Sequence, residues 1–138
     1  MLLYENSISS SFQKVHETVK EIMEQLKLID DVDRQFLLFR INFMLREVLN
    51  NAVEHGNAFD EDKMVGITIT YEKPHLRFVI TDQGQGIELP KHDLGHAEYI
   101  LRERSRGIEM IRKFQFELQA EGNTLHVHLN LDHVKEEI

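Results

Sequence analysis

The sequence contains no cysteine, only two prolines and no apolar run near the ~20 residues that a membrane-spanning helix needs. Without cysteine there are no disulfides and no thiolate metal ligands, which fits a reducing compartment. The first residues, MLLYENSISSS, lack the basic flank and apolar core of a signal peptide, and no G-x-x-x-x-G-K-S/T phosphate-binding loop occurs. We therefore expect a cytoplasmic protein with neither a membrane span nor a P-loop.

Basic residues are outnumbered: 16 Lys and Arg stand against 24 Asp and Glu, a net charge of -8 with His neutral. An acidic surface repels a phosphate backbone, so we expect no nucleic-acid binding, whereas a basic protein partner would be attracted. The 138 residues, 41% of them apolar, suit one compact core, and no repeat or Pro/Gly-rich linker divides them. We predict a single domain over residues 1–138, with a frayed end at 135–138.

Hydrophobic periodicity predicts the element order β-α-α-β-β-lid-α-β-β. A short strand is expected at 5–11, an amphipathic helix at 12–26 and a second helix, apolar almost all round, at 34–55. A hairpin of 65–71 with 76–80 follows, then a third helix at 107–114 and a second hairpin of 116–120 with 125–131. We expect residues 30–33 to supply the N-cap of the second helix, and Gly56-Asn57 to end it as a left-handed C-cap. This order predicts an α/β (α+β) sandwich whose mixed, mostly antiparallel sheet is covered by three helices on one face.

The second helix carries a polar stripe. At about 100° per residue one narrow arc contains five polar side chains, those of Arg40, Glu47, Asn50, Asn51 and Glu54. Buried polar groups need partners, so the stripe either pairs internally, for example Arg40 with Glu47, or lines a ligand pocket. A carboxylate and an amide oxygen are hard ligands that suit Mg²⁺ with phosphates, and a carboxylate can also accept a proton from an attacking hydroxyl.

Two further patterns are each weak alone. Asp82-x-Gly84-x-Gly86 follows a predicted strand; the carboxylate can accept a hydrogen bond from an exocyclic amino group, and glycines let the backbone approach a flat ring. The same pattern is also common in plain turns. Ser105-Arg106-Gly107 is predicted to open the third helix, where backbone N–H groups form a ready phosphate site.

Together these patterns resemble the GHKL ATPase superfamily, whose nucleotide site is the Bergerat fold. The resemblance runs from about Phe12 to Leu131, nearly the whole chain. Within the superfamily, the short length and compact lid are similar to the bacterial anti-sigma-factor serine kinases. The resemblance implies ATP and Mg²⁺ as cofactors.

The resemblance also implies residue roles. Glu47 matches the catalytic carboxylate, Asn51 the Mg²⁺ ligand and Asp82 the reader of the adenine amino group. The remaining predicted nucleotide-binding residues are His55, Gly56, Gly84, Gly86, Ile87, Ser105, Gly107 and Thr124. Ser105 stands where the family's lid usually has glycine, which would reduce lid flexibility and weaken catalysis more than binding. Arg104 and Arg106 beside it either reach phosphates or a partner, or are solvated.

The function that the resemblance implies is an ATP-dependent serine-protein kinase that is also an anti-sigma factor. It would bind a sigma factor and phosphorylate an anti-anti-sigma protein on serine, and such proteins commonly form homodimers. Two alternatives are a nucleotide-regulated binding module with little or no kinase activity, and a kinase or ATPase domain of another bacterial switch. His126 and His128 would share a strand face, but no H-E-x-x-H motif accompanies them, so we expect no transition-metal site.

Overall fold

A computed structural model describes residues 1–84 and 102–137, with only the backbone for residues 102–105. The predicted order of helices and strands is confirmed, and the predicted lid lies outside the described residues. The helices and strands are β1 (Leu2–Ser9), α1 (Phe12–Leu26), α2 (Gln35–Asn51), a π-helical turn (Ala52–Gly56), β2 (Met64–Glu72), β3 (His75–Thr81), α3 (Arg102–Lys113), β4 (Glu117–Glu121) and β5 (Thr124–Asn130). Within the described ranges, no helix combines the length and the apolar character needed to cross a bilayer.

The described strands form one five-stranded sheet in the order β1-β2-β3-β5-β4, and each neighbouring pair is antiparallel. The register aligns apolar side chains across strands, as in the row Ile69, Phe78 and Val127. Buried residues of α1, α2 and α3 join these strand residues in one hydrophobic core. The predicted sandwich, with helices on one sheet face, is confirmed: along β2, β3 and β5 buried residues alternate with partly exposed ones, which leaves the other face partly exposed.

Helix α1 begins where the sequence predicted it, but β1 lies closer to the N-terminus than expected. Ser11, placed in the predicted strand, is instead the N-cap of α1, and its Oγ accepts a hydrogen bond from the Lys14 N–H at 3.1 Å. An extended N-cap with a side-chain acceptor satisfies one of the free donors at the helix start. The strand therefore ends before Ser11.

The predicted N-cap of α2 within residues 30–33 is wrong. The N-cap is Arg34, in an extended conformation and without a side-chain cap hydrogen bond. Asp31 instead accepts a hydrogen bond from the Tyr71 hydroxyl at 2.7 Å, and Lys73 Nζ lies 3.6 Å from it. The acidic turn therefore ties the start of α2 to the β2–β3 hairpin.

The end of α2 also differs from the prediction. The helix continues as a π-helical turn, closed by a hydrogen bond of 2.8 Å from the Asn57 N–H to the Ala52 carbonyl. Asn57 has a φ of -96°, so the predicted left-handed C-cap at Gly56-Asn57 is wrong; the positive φ angles fall on Ala58 (52°) and Phe59 (58°). Such π-turns are frequent at functional sites, because they change the direction in which the last helical residues point.

Helix α3 begins at Arg102, ahead of the predicted range 107–114 and of the predicted opening at Ser105-Arg106-Gly107, so Ser105 and Gly107 lie inside the helix. The prediction that these residues open the helix is therefore wrong, whereas phosphate binding by Ser105 and Gly107 stays a prediction. Buried Ile108 and Ile111 anchor this helix in the core. That burial compensates the ~1 kcal/mol by which an internal glycine disfavours a helix relative to alanine.

Candidate functional site

Glu47 lies on the inner side of α2, half-buried, where α3 crosses above it. Burial raises the pKa of its carboxyl above the ordinary value of 4.5. Gly107 of α3 packs directly against this carboxylate, so that a Cβ added at Gly107 would overlap Glu47 Oε2. The glycine of α3 therefore allows the two helices to approach closely at Glu47, and a larger residue there would displace the Glu47 carboxylate.

Asn51 lies one turn after Glu47 and is 7% exposed. Its Nδ2 is buried and has no hydrogen-bond partner among the described residues, and the same holds for Oδ1 of the adjacent Asn50. A buried polar atom without a partner costs about 1–3 kcal/mol, so such atoms in native proteins call for an explanation such as a ligand or water. The pair Glu47 and Asn51 is thus a half-buried carboxylate beside an unsatisfied amide.

The predicted polar stripe of α2 divides in the fold. Buried Arg40 donates to the main-chain carbonyls of Lys135 (2.7 Å) and Glu136 (2.6 Å), and its guanidinium lies 4.9 Å from the Phe36 ring centroid. Arg40 takes these partners instead of Glu47, so the suggested internal pairing is wrong. The same bonds hold residues 135 and 136, which the sequence predicted to be frayed.

Asp82 directly follows β3 and is 3% exposed. Its main chain is held by Asn123, which accepts from the Asp82 N–H at 3.0 Å and donates from Nδ2 to the Asp82 carbonyl at 2.7 Å. One carboxylate oxygen, Oδ1, accepts from the Gly84 N–H at 2.8 Å. This side chain is therefore fixed by its own turn and by the β4–β5 turn.

Two glycines make room around Asp82. A Cβ added at Gly56 would overlap the Asp82 carboxylate, and one added at Gly84 would overlap the Gly56 carbonyl. The backbone of the π-helical turn, at Gly56, therefore contacts both the Asp82 side chain and the backbone of Gly84. Asp82, Gly56 and Gly84 form what we call the aspartate cradle, and it follows the same α2 that carries Glu47 and Asn51.

The sequence profile described as "Histidine kinase-like ATPase domain" matches residues 9–129, most of the chain. The chain belongs to this family. Among solved structures, the histidine kinase domain of the Erythrobacter litoralis EL346 blue-light activated histidine kinase is similar, with a TM-score of 0.55 and 18% identity over 86% of this chain. The chain spans 61% of that domain, and the likeness at this identity shows the fold alone. A search of curated protein sequences finds no match.

Membership of the histidine kinase-like ATPase family gives this arrangement a nucleotide-binding, kinase-like or ATPase-like character. The elements fit such a site. The Glu47–Asn51 pair and the aspartate cradle are connected by the last turn of α2 and the π-helical turn, which Gly56 ends. The structure thus places six of the predicted site residues in two groups. One is the Glu47–Asn51 pair with Gly107, and the other is the aspartate cradle of Asp82, Gly56 and Gly84.

Other predicted residues of this ATPase domain are placed differently. Thr124 begins β5, and its Oγ1 lies 3.2 Å from Thr81 Oγ1, on the sheet face opposite to buried Leu125. The structure therefore does not bring its side chain to the aspartate cradle. His55 is in the π-helical turn, where its Nε2 lies 3.6 Å from Glu54 Oε2.

Gly86 and Ile87 lie outside the described residues, and for Ser105 only the helical backbone is described. Arg106 is exposed on α3. Among the residues that the structure does describe, no group of three or more His, Cys, Asp or Glu could hold a metal ion. His128 of β5 has its Nε2 2.9 Å from His75 Nδ1 of β3.

Asn57 and Asn123 contribute to the ATPase-domain site, and sequence reasoning missed both. Each follows a glycine and was interpreted only as part of a cap or turn. Asn57 is fully buried and its Oδ1 accepts from the Gln83 N–H at 2.8 Å, next to Asp82. The amide side chain is the feature of the sequence that could have indicated this role. An asparagine in a turn beside a predicted ligand residue can also form hydrogen bonds to backbone groups of distant segments.

Proposed function

We propose that this ATPase domain is an ATP-dependent serine-protein kinase that also acts as an anti-sigma factor. The observation that carries the catalytic part is the half-buried Glu47 carboxylate one turn from the unsatisfied Asn51 amide, on a helix that leads into the aspartate cradle. The sigma factor and the serine of an anti-anti-sigma protein are supported by the resemblance of this sequence to the anti-sigma-factor serine kinases. A homodimer is part of the same proposal.

The aspartate cradle supports adenine binding. Asp82 uses Oδ1 for the Gly84 N–H, and its carboxylate still has lone pairs for an exocyclic amino group. Gly56 packs against this carboxylate and Gly84 packs against the Gly56 carbonyl, so backbone surrounds the predicted adenine-binding group closely. A base carrying a donor at this position is therefore favoured over one without it.

Asn51 supports the phosphate end. Its buried Nδ2 is a donor without a partner among the described residues, and phosphate oxygens are the acceptors that it lacks. Its amide oxygen is a hard ligand of the kind that Mg²⁺ takes together with phosphates. Bound Mg²⁺ supplies neutralisation of negative charge on the phosphates.

Glu47 supports the transfer step. Its raised pKa makes the carboxylate a better proton acceptor than an ordinary surface glutamate, because basicity increases with pKa. In this role Glu47 orients the serine hydroxyl and takes its proton as the hydroxyl oxygen attacks the terminal phosphorus of ATP and ADP leaves. Phosphoryl transfer depends mainly on such positioning and on charge stabilisation.

The decisive experiment is incubation of the chain with labelled ATP, Mg²⁺ and a purified anti-anti-sigma protein, followed by identification of phosphoserine. Glu47→Ala should abolish transfer and leave nucleotide affinity within a few-fold. Glu24→Ala, an exposed acidic residue of α1, is the matched control and should transfer normally. Transfer retained by Glu47→Ala would remove the base from this proposal.

The second candidate is a nucleotide-regulated binding module, and one observation favours it. Gly107 of α3 packs against the Glu47 carboxylate, the group that the kinase proposal assigns as the base. Tight ATP binding without transfer to any tested protein serine would establish this second function in place of the kinase.

A further inference from the structure

Asn57 connects three segments of the chain from a fully buried position. Its Nδ2 donates to Ser10 Oγ at 2.8 Å and to the Met64 carbonyl at 3.0 Å. Its Oδ1 accepts from the Gln83 N–H at 2.8 Å. Both amide hydrogens and the oxygen are thus used, and each bond goes to a different segment.

Gln83 is held by a second bond as well. Its Oε1 accepts from the Met64 N–H at 2.6 Å, at the start of β2. On the other side, Asp82 is bonded through its main chain to Asn123. Asp82 therefore lies between two fixed points, Asn123 and the Gln83 peptide group, and Asn57 supplies the buried bond at the second of them.

The orientation of Asp82 depends on this arrangement. Its carboxylate is already confined by Gly56, so a small rotation of the Asp82–Gln83 peptide moves the carboxylate oxygens relative to the cradle. A recognition group needs to be held within about 0.5 Å by the residues that support it. A single hydrogen bond to a base is lost when that support is lost.

We propose that Asn57 is a positioning residue that holds Asp82 for the 6-amino group of adenine, through the bond from the Gln83 N–H to Asn57 Oδ1. This inference rests on the proposed nucleotide binding. It goes further in assigning base selectivity to a residue that does not touch the base.

The test compares ADP with purine riboside 5′-diphosphate, which lacks the 6-amino group, by titration calorimetry. A hydrogen bond to a charged group corresponds to roughly 10–100-fold in affinity, so the wild type should prefer ADP by about that ratio. In Asn57→Ala the preference should fall to within about 3-fold, mainly through weaker binding of ADP. Hydrogen exchange of the Gln83 amide should accelerate in the same variant.

Two variants separate positioning from stability. Ser10→Ala removes the hydroxyl that Asn57 Nδ2 contacts and keeps the bond to Gln83, so it should lower stability and preserve the ADP preference. Asn57→Asp keeps an acceptor for the Gln83 N–H and should also preserve the preference, although it places a carboxylate against the Met64 carbonyl. If Asn57→Ala is unfolded alone, the titration is repeated in trimethylamine N-oxide, which favours the compact state.

An ADP preference in Asn57→Ala equal to that of the wild type overturns this inference, and so does an equal loss of preference in Ser10→Ala. If the wild type binds neither nucleotide, the proposed function fails and this inference fails with it. These outcomes are distinguishable, because the first two require a wild type that binds ADP.

Discussion

Replacing Gly107 with alanine tests the contact between α3 and the Glu47 carboxylate. In an ordinary helix interior this change stabilises by about 1 kcal/mol. Here the added methyl group overlaps Glu47 Oε2, and overpacking of this kind costs about 1–3 kcal/mol. The overlap therefore cancels or exceeds the gain, and we expect a net destabilisation near 1 kcal/mol.

The same substitution should change sign when Glu47 is absent. In a Glu47→Ala background the obstacle is removed, so Gly107→Ala should stabilise by about 1 kcal/mol, giving a coupling energy of about 2 kcal/mol. Urea unfolding of the four proteins, followed by circular dichroism, measures each free energy. Gly66→Ala is the control, because a Cβ there meets only ordinary contacts, the nearest 3.8 Å away at the Thr81 carbonyl, and it should have the same effect in both backgrounds.

A stabilisation of about 1 kcal/mol by Gly107→Ala in the wild-type protein, equal to that in the Glu47→Ala background, would refute this reasoning. It would mean that the helix accepts the methyl group without meeting the carboxylate. The close approach that places Glu47 beneath α3 would then be absent in solution.

Three other predictions concern single side chains. Since the pKa of Glu47 in the folded protein is raised above 4.5, its stabilising contribution is complete below pH 4.5 and is lost as the pH rises towards the raised value. The stability of Glu47→Gln relative to the wild type should therefore increase with pH across this window. A stability difference that stays constant with pH would contradict this prediction. Arg40→Ala should destabilise by about 2–4 kcal/mol and expose the C-terminal residues to carboxypeptidase, whereas exposed Arg34→Ala should cost under about 1 kcal/mol; equal losses argue against the Arg40 contacts. Burial and the hydrogen bond to the Asp31 carboxylate raise the pKa of Tyr71 to about 12, so Tyr71→Phe should remove the most alkaline component of the ultraviolet tyrosine titration, and persistence of that component would assign it to another tyrosine.

The secondary structure was predictable because it follows from local pattern. Apolar spacing predicted α1, and alternation predicted both hairpins, since alternate residues of β2, β3 and β5 pack on the core. The spacing of Glu47 and Asn51 likewise placed them one turn apart before any fold was known. Periodicity determines which residues share a face, and that was enough for this pair.

The sequence-based predictions are wrong where the structure depends on contacts with residues far away along the chain. Arg40 lies on the same arc as Glu47, yet its partners are carbonyls at positions 135 and 136, which no local pattern connects to α2. The predicted start of α3 is wrong because the prediction treats Gly107 as the residue that opens the helix. In the structure Gly107 lies inside the helix, where its lack of a side chain leaves room for the Glu47 carboxylate. Positive φ angles on Ala58 and Phe59 violate the usual preference for glycine, so sequence gives no sign of them.

The two carboxylates of the candidate site share one structural principle. A glycine from another element lies against each of them, Gly107 against Glu47 and Gly56 against Asp82. A glycine that is close to the carboxylate in sequence helps to form a turn. A glycine from another element that packs against the carboxylate determines how closely the backbone of that element can approach it. Proximity of backbone excludes water and raises the electrostatic influence of each carboxylate on whatever binds there. These two glycines therefore shape the surroundings of the carboxylates on which the proposed chemistry depends.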